Sequence, residues 1–207
     1  NAGSPMEPAF ASGGNGTGRV AVSPTVVYGD HALSTLTFSF AQDSSQTLTK
    51  LSIAIPPTWT WSHSPASVSL QGAAFASATA SVSGDTVIVD GAALSTANTG
   101  DVVINNLTTP VSKGTSAFHV RSAVAAGTLT PISSQPSTRV LELVPISVVH
   151  VNDANGVCAA PYAVGSEATI TGIVTANLST TRTDVYIQDQ TGGINVFNSA
   201  ISPVTFD

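Results

Sequence analysis

Apolar and hydroxylated side chains alternate with a period of two along most of this chain, the repeat of an extended backbone with one buried face. Between Leu33 and Phe40, Leu36, Phe38 and Phe40 fall on one side and Thr35, Thr37 and Ser39 on the other. Leu51, Ile53 and Ile55 repeat the pattern until Pro56-Pro57, where the missing amide donors end a strand. Gly18–Pro24, Ala78–Val82, Thr86–Val89, Gly100–Leu107, Ser116–Val124 and Thr138–Val144 bring the set to about eight strands, with turn signals roughly every 8–12 residues. No stretch carries apolar residues at helical spacing for three turns. Sheets with one apolar face must bury those faces against each other, and each buried Val, Leu, Ile or Phe contributes roughly 1.5–3 kcal/mol. The pattern therefore predicts an all-β sandwich over residues 18–145.

A second block follows the junction near Leu143-Val-Pro-Ile146. Ile146–Val151 is a short apolar run, and Asn152-Asp-Ala-Asn-Gly156 reads as a turn. Three strands are then expected: Ala168–Ala176, Asp184–Asp189 and Ile194–Phe197. Gly172 sits inside the first of them, where a bend or bulge explains it best. The last two form a hairpin around a Gln190–Gly193 loop, with Ile187 expected opposite Val196, Tyr186 opposite Phe197 and Gln188 opposite Asn195. On that reading Ile187 and Val196 face a core, while Tyr186, Gln188, Asn195 and Phe197 share the other face as a candidate ligand surface. The competing expectation is that the two rings pack against the neighbouring domain.

Composition changes the picture in two ways. An apolar fraction of 42% separates the chain from disordered polar sequences, despite only 9% charged residues. The net charge of −6 and the scatter of Arg19, Lys50, Lys113, Arg121, Arg139 and Arg182 leave no basic stripe, which disfavours generic nucleic-acid binding. Single aromatic stacking sites remain compatible with that balance. Residues 1–17, rich in Gly, Pro and Ser, read as a linker or expression-derived segment. No secretory leader and no apolar run of membrane-spanning length occurs in the sequence, so membrane insertion is not expected.

Candidate chemistry is sparse. Cys158 is the single cysteine, which excludes an intrachain disulfide framework; a small structural residue is the plainer reading, a reactive thiol the sharper one. His31, His63, His119 and His150 are isolated, without metal-ligand spacing, and neither a Gly-x-Ser-x-Gly elbow nor a phosphate-cradling Gly-Lys-Ser loop occurs. Counted from Asp153, the glycine of a calcium loop comes two places early and the twelfth position is Val164, so Asn155-Gly156 marks a turn. Asp184 and Asp189 are expected on opposite faces, which suits solubility better than paired-carboxylate chemistry. Trp59 and Trp61, two apart, suit either a cap on the sandwich core or a sugar-stacking pair. Asn15, Asn106 and Asn177 head glycosylation sequons that are read as chance matches. No catalytic residue, metal site or cofactor is expected.

Two resemblances sharpen this. Val20-Ala-Val-Ser-Pro24, Thr35-Leu-Thr-Phe38, Leu51-Ser-Ile-Ala-Ile-Pro56 with Trp59, Val82-Ser-Gly-Asp-Thr-Val-Ile-Val89 and Ala117-Phe-His-Val120 resemble a bacterial surface immunoglobulin-like repeat across residues 18–145. That resemblance implies a spacer or adhesive unit. His150-Val-Asn-Asp-Ala-Asn-Gly156, Pro161-Tyr-Ala-Val-Gly165, Thr169-Ile-Thr-Gly-Ile-Val174, Tyr186-Ile-Gln-Asp189 and Gly192-Gly-Ile-Asn-Val-Phe197 are similar to OB-like domains of secreted bacterial nucleases and phosphoesterases. The expected architecture is thus an immunoglobulin-like β-sandwich followed by residues 146–207 as the N-terminal part of an OB-like β-barrel, which the sequence leaves at Asp207 before two further strands. What this implies is a non-catalytic binding region of a secreted or cell-surface bacterial protein, assisting an extracellular nuclease or phosphoesterase; the alternative is a structural or adhesive spacer. Expected partners are an oligonucleotide or oligosaccharide, other domains of the parent protein, and another copy through an open sheet edge.

Overall fold

The computed structural model describes residues 17–125, 127–152, 154–157, 161–163 and 165–198. The chain is all-β apart from short helical turns, and it divides into two compact units, residues 1–141 and 142–207.

The first unit is an immunoglobulin-like β-sandwich. Its strands are β1 (Arg19–Ser23), β2 (Val26–Tyr28), β3 (Ala32–Ala41), β4 (Leu48–Ala54), β5 (Val68–Gln71), β6 (Thr79–Ser83), β7 (Thr86–Leu94), β8 (Gly100–Thr108), β9 (Gly114–Ala117), β10 (His119–Val124), β11 (Thr130–Pro131) and β12 (Ser137–Leu141). They pair as β1-β3-β8-β5, β11-β10-β4-β7-β6 and β2-β12-β9. The chain crosses from sheet to sheet between β3 and β4, again between β4 and β5, and so on, so sequence neighbours seldom pair and the fold rests on long-range ladders.

The alternation decides which side chains go inside. Leu36, Phe38 and Phe40 of β3 are buried, as are Leu51 and Ile53 of β4, Val87 and Val89 of β7, and Val102 and Ile104 of β8. Val27 and Val140 from the third sheet join the same cluster. The Phe38 and Phe118 rings meet edge to face at 5.1 Å, and Trp59 lies 5.5 Å from Phe118. Gly100 is required by packing: a Cβ there would come within 2.6 Å of the Phe75 ring, which seals this end of β8 against β5.

Every strand expected in this unit forms, but the Thr138–Val144 strand ends at Leu141 and one apolar run is divided. The run Ser116–Val124 is broken at Phe118, whose N–H donates to Pro136 O (2.9 Å) while its ring sinks into the core. β9 on one side of it joins the β12 sheet and β10 on the other joins β4, so one apolar run serves two sheets. The additional strands β2, β5 and β11 are two to four residues long, too short for alternation to reveal. Both tryptophans belong to the core, Trp59 at 2% and Trp61 at 6% exposure. Burial overturns the sugar-stacking alternative, since neither ring presents a face to a ligand.

The second unit holds one short helix, α1 (Ile146–Val149), and three strands: β13 (Ile173–Asn177), β14 (Thr183–Gln188) and β15 (Gly193–Asn198), paired antiparallel in that order. The apolar run starting at Ile146 is thus helical for one turn. The expected first strand is shorter than Ala168–Ala176: Thr169 forms only an isolated bridge to Leu143, and the ladder starts at Ile173. Gly172 lies just ahead of β13, and the register shift falls between Val174 and Ala176, so the glycine is not the bulge itself. Its reason is close approach: an added Cβ would meet Gln188 O at 2.5 Å and Ile187 Cγ2 at 2.7 Å. Asp153, Cys158 and residues 1–16 lie outside the described residues. Residues 154 and 155 are in a turn, and Gly156 takes a positive φ of 76°.

Candidate binding face of the second unit

The β14–β15 hairpin places the four candidate residues on one face, through a register different from the expected one. Val185 pairs with Val196, Tyr186 with Asn195, Ile187 with Ile194 and Gln188 with Gly193, around a loop of residues 189–192. The expected pairing was offset by two residues along β15. The turn chemistry accounts for the difference, because Asp189 closes the hairpin one position earlier than a Gln190–Gly193 loop allows. Directly opposed residues share a face, so Tyr186, Asn195, Gln188 and, opposite Asp184, Phe197 still project together. Tyr186 is 45% and Phe197 56% exposed. The other face carries Val174, Val185, Ile187, Ile194 and Val196; only Val185 is fully buried and the rest are half-buried.

Asp189 is the residue whose role the sequence reading missed. Its Oδ1 accepts from Thr191 N (2.7 Å), Thr191 Oγ1 (2.7 Å) and Gly192 N (2.9 Å), and its Oδ2 accepts from Ile146 N (2.9 Å). The first set is an Asx turn that shapes the hairpin; the last satisfies an orphan donor at the start of α1. Ser147 N adds a bond to Thr191 Oγ1 (3.1 Å). The bond from Ile146, then that from the Thr191 hydroxyl, hold the Asp189 carboxyl down to about 2. Asp189-Gln-Thr-Gly192 carried the signal, since an aspartate two residues before its backbone donor is the mark of such a turn.

Asp184 lies on the candidate face rather than in solvent alone. It accepts from Asn195 Nδ2 (3.1 Å) and pairs with Arg182 Nη2 (3.6 Å), and the Arg182 guanidinium stands 4.9 Å from the centroid of the Phe197 ring. Asn195 Nδ2 also donates to Val185 O (3.4 Å). One face of Phe197 is therefore covered from within the hairpin. Beside these residues an open groove of about 660 Å³ runs past Thr171, Gly172, Ile173, Thr175, Gln190 and the hydrogen-bonded Asp189, and it meets the face at Gln188. Ile173 opposes Gln188 across the ladder and is 76% exposed.

The first unit carries exposed ion pairs of its own. His63 Nε2 lies 2.7 Å from Asp85 Oδ1 on the sandwich, and Lys50 pairs with Asp90 at 3.1 Å. Among the described residues no three His, Cys, Asp or Glu side chains gather as a metal site would require. No helix among the described residues is long and apolar enough to cross a membrane.

No family model and no curated protein matches the chain. Among solved structures, it is similar to a non-cellulosomal cohesin from the hyperthermophilic archaeon Archaeoglobus fulgidus (9% identity, TM-score 0.39, 59% of this chain and 89% of that one). It is also similar to BslA, a bacterial hydrophobin (16% identity, TM-score 0.42, 65% and 97%), and to BcpA, the major pilin subunit of Bacillus cereus (8% identity, TM-score 0.40). With BcpA the match covers 92% of this chain and 55% of that one.

Proposed function

We propose that this chain is a non-catalytic binding region of a secreted or cell-surface bacterial protein, engaging its ligand through the outward face of the β13–β15 sheet. The observation that carries the reading is the convergence of Tyr186, Gln188, Asn195 and Phe197 on one exposed face beside a groove. Exposed rings flanked by amides combine apolar contact with fixed hydrogen-bonding positions, the combination that small-ligand and oligomer sites use. The likeness of this segment to OB-like modules of secreted nucleases and phosphoesterases makes assistance to such an enzyme the finer version of the proposal; it rests on that resemblance alone.

For the first unit a spacer or adhesive role is favoured by the burial of Trp59 and Trp61, which removes its two largest aromatic side chains from the surface. The test is a titration of the full chain with neutral oligosaccharides and single-stranded oligonucleotides at low and moderate salt, repeated with Tyr186→Ala and Phe197→Ala. Binding that both substitutions weaken is the expected result. Binding that survives both removes the face, and no binding in any condition leaves the spacer reading for the whole chain.

A further inference from the structure

The charged groups around the candidate face already have partners within the second unit. Arg182 is the cation beside it, and its guanidinium faces both Asp184 and the Phe197 ring. Asp184 in turn accepts from Asn195, and the Asp189 carboxylate is surrounded by the N–H groups of Ile146, Thr191 and Gly192. A phosphodiester chain would find two carboxylates here and no uncommitted cation, whereas phosphate neutralisation supplies most of the affinity of such complexes. A cationic ligand would have to displace hydrogen bonds that shape the hairpin itself.

What remains open to a ligand is neutral. Among the described residues the amides of Gln188 and Gln190 and the Tyr186 hydroxyl hydrogen-bond to no other side chain, and each offers donor and acceptor capacity. The Tyr186 ring, the uncovered face of Phe197 and the exposed Ile173 side chain add apolar surface. A pyranose matches this set, with a C–H face that lies against a ring and an edge of hydroxyls that both give and accept hydrogen bonds. Tyr186 and Phe197 stand diagonally across the β14–β15 ladder, a separation of about 7–8 Å between backbones. The groove past Thr171 and Gln190 continues from Gln188, so the surface is longer than one ring.

Building on the binding-face reading above, we infer that the ligand is an uncharged oligosaccharide, laid across Tyr186 and Phe197 and continuing into the groove beside Gln188 and Gln190. The experiment uses the full chain and calorimetric titration with three probes: a linear neutral β-linked glucose oligosaccharide, its counterpart carrying uronic acids, and a thymidine oligonucleotide of similar length. The expected result is binding of the neutral probe that is insensitive to salt, and weaker binding of the acidic one. Tyr186→Ala and Gln188→Ala should each reduce affinity roughly tenfold, the size of one ring or hydrogen-bond set. Thermal melting of each variant separates lost contacts from lost fold, and Gln188, exposed on the sheet, provides the variant least able to unfold it.

Salt-sensitive binding of the oligonucleotide alone, lost with Tyr186→Ala, would overturn the saccharide inference and leave the binding face standing. Preference for the acidic saccharide, or neutral binding indifferent to both substitutions, would overturn the inference as well. Absence of binding by every probe would remove both the inference and the face.

Discussion

The two units of this chain solve the same problem with unequal means. The sandwich hides the apolar faces of its sheets in one cluster, where Leu36, Phe38, Leu51, Ile53 and Phe118 reach 0% exposure. Among the described strand residues of the second unit, Val185 is the apolar one that is buried, at 2% exposure, and the rest of its apolar face is half-buried. Small antiparallel assemblies are marginal when apolar burial is all they have. This one adds a polar clasp, with a single carboxylate tying the hairpin loop to the start of α1. The lesson is that side-chain burial specifies the first unit and hydrogen bonding specifies much of the second.

That contrast can be broken most severely from the sandwich side. Phe38→Ala removes a ring packed edge to face on Phe118 and is expected to cost about 3–5 kcal/mol, read from urea unfolding of the first unit. A loss below 1 kcal/mol would mean the cluster is less tightly packed than its burial indicates. In the second unit, Gly172→Ala forces a methyl group against Gln188 O and Ile187, and the expected cost is about 1–3 kcal/mol, read from amide exchange along β13 and β14.

Asp189→Asn tests the clasp. It should raise amide exchange at Ile146, Thr191 and Gly192 while leaving β3 and β8 unchanged. Acid sharpens the same point. The carboxyl is held to about 2 in the folded chain against an ordinary aspartate value of 3.8, so the unfolded chain binds the proton first. Its stabilisation is therefore complete above about 4 and fades as the pH falls towards and through about 2. Protection of those amides should decline over that window in the natural sequence and stay flat in Asp189→Asn. The smallest effect is expected from Phe197→Ala, within about 0.5 kcal/mol in stability because the ring is mostly exposed. A large loss there would move Phe197 from the binding surface into the structural core.

How far the sequence can be read follows the same division. Alternation located the long strands of the sandwich because buried residues such as Leu36 and Val89 have hydroxylated or exposed neighbours. It missed β2, β5 and β11, where two to four residues are too few to show a period. It also missed the break at Phe118, since a continuous apolar run says nothing about a change of sheet. In the second unit the shared face of Tyr186, Gln188, Asn195 and Phe197 followed from parity, which a two-residue slip leaves intact. The exact register did not follow, because it depends on the Asp189 turn. Arg182 over Phe197 was illegible for a related reason: it lies just ahead of β14, where period-two reasoning does not apply.

The interruption at Phe118 has a mechanical side. The backbone runs without a loop from β9 into β10, so the layers they belong to are joined directly at this point. Peeling those layers apart would have to drag an aromatic rivet out from beside Phe38 and Trp59 before any hinge could open.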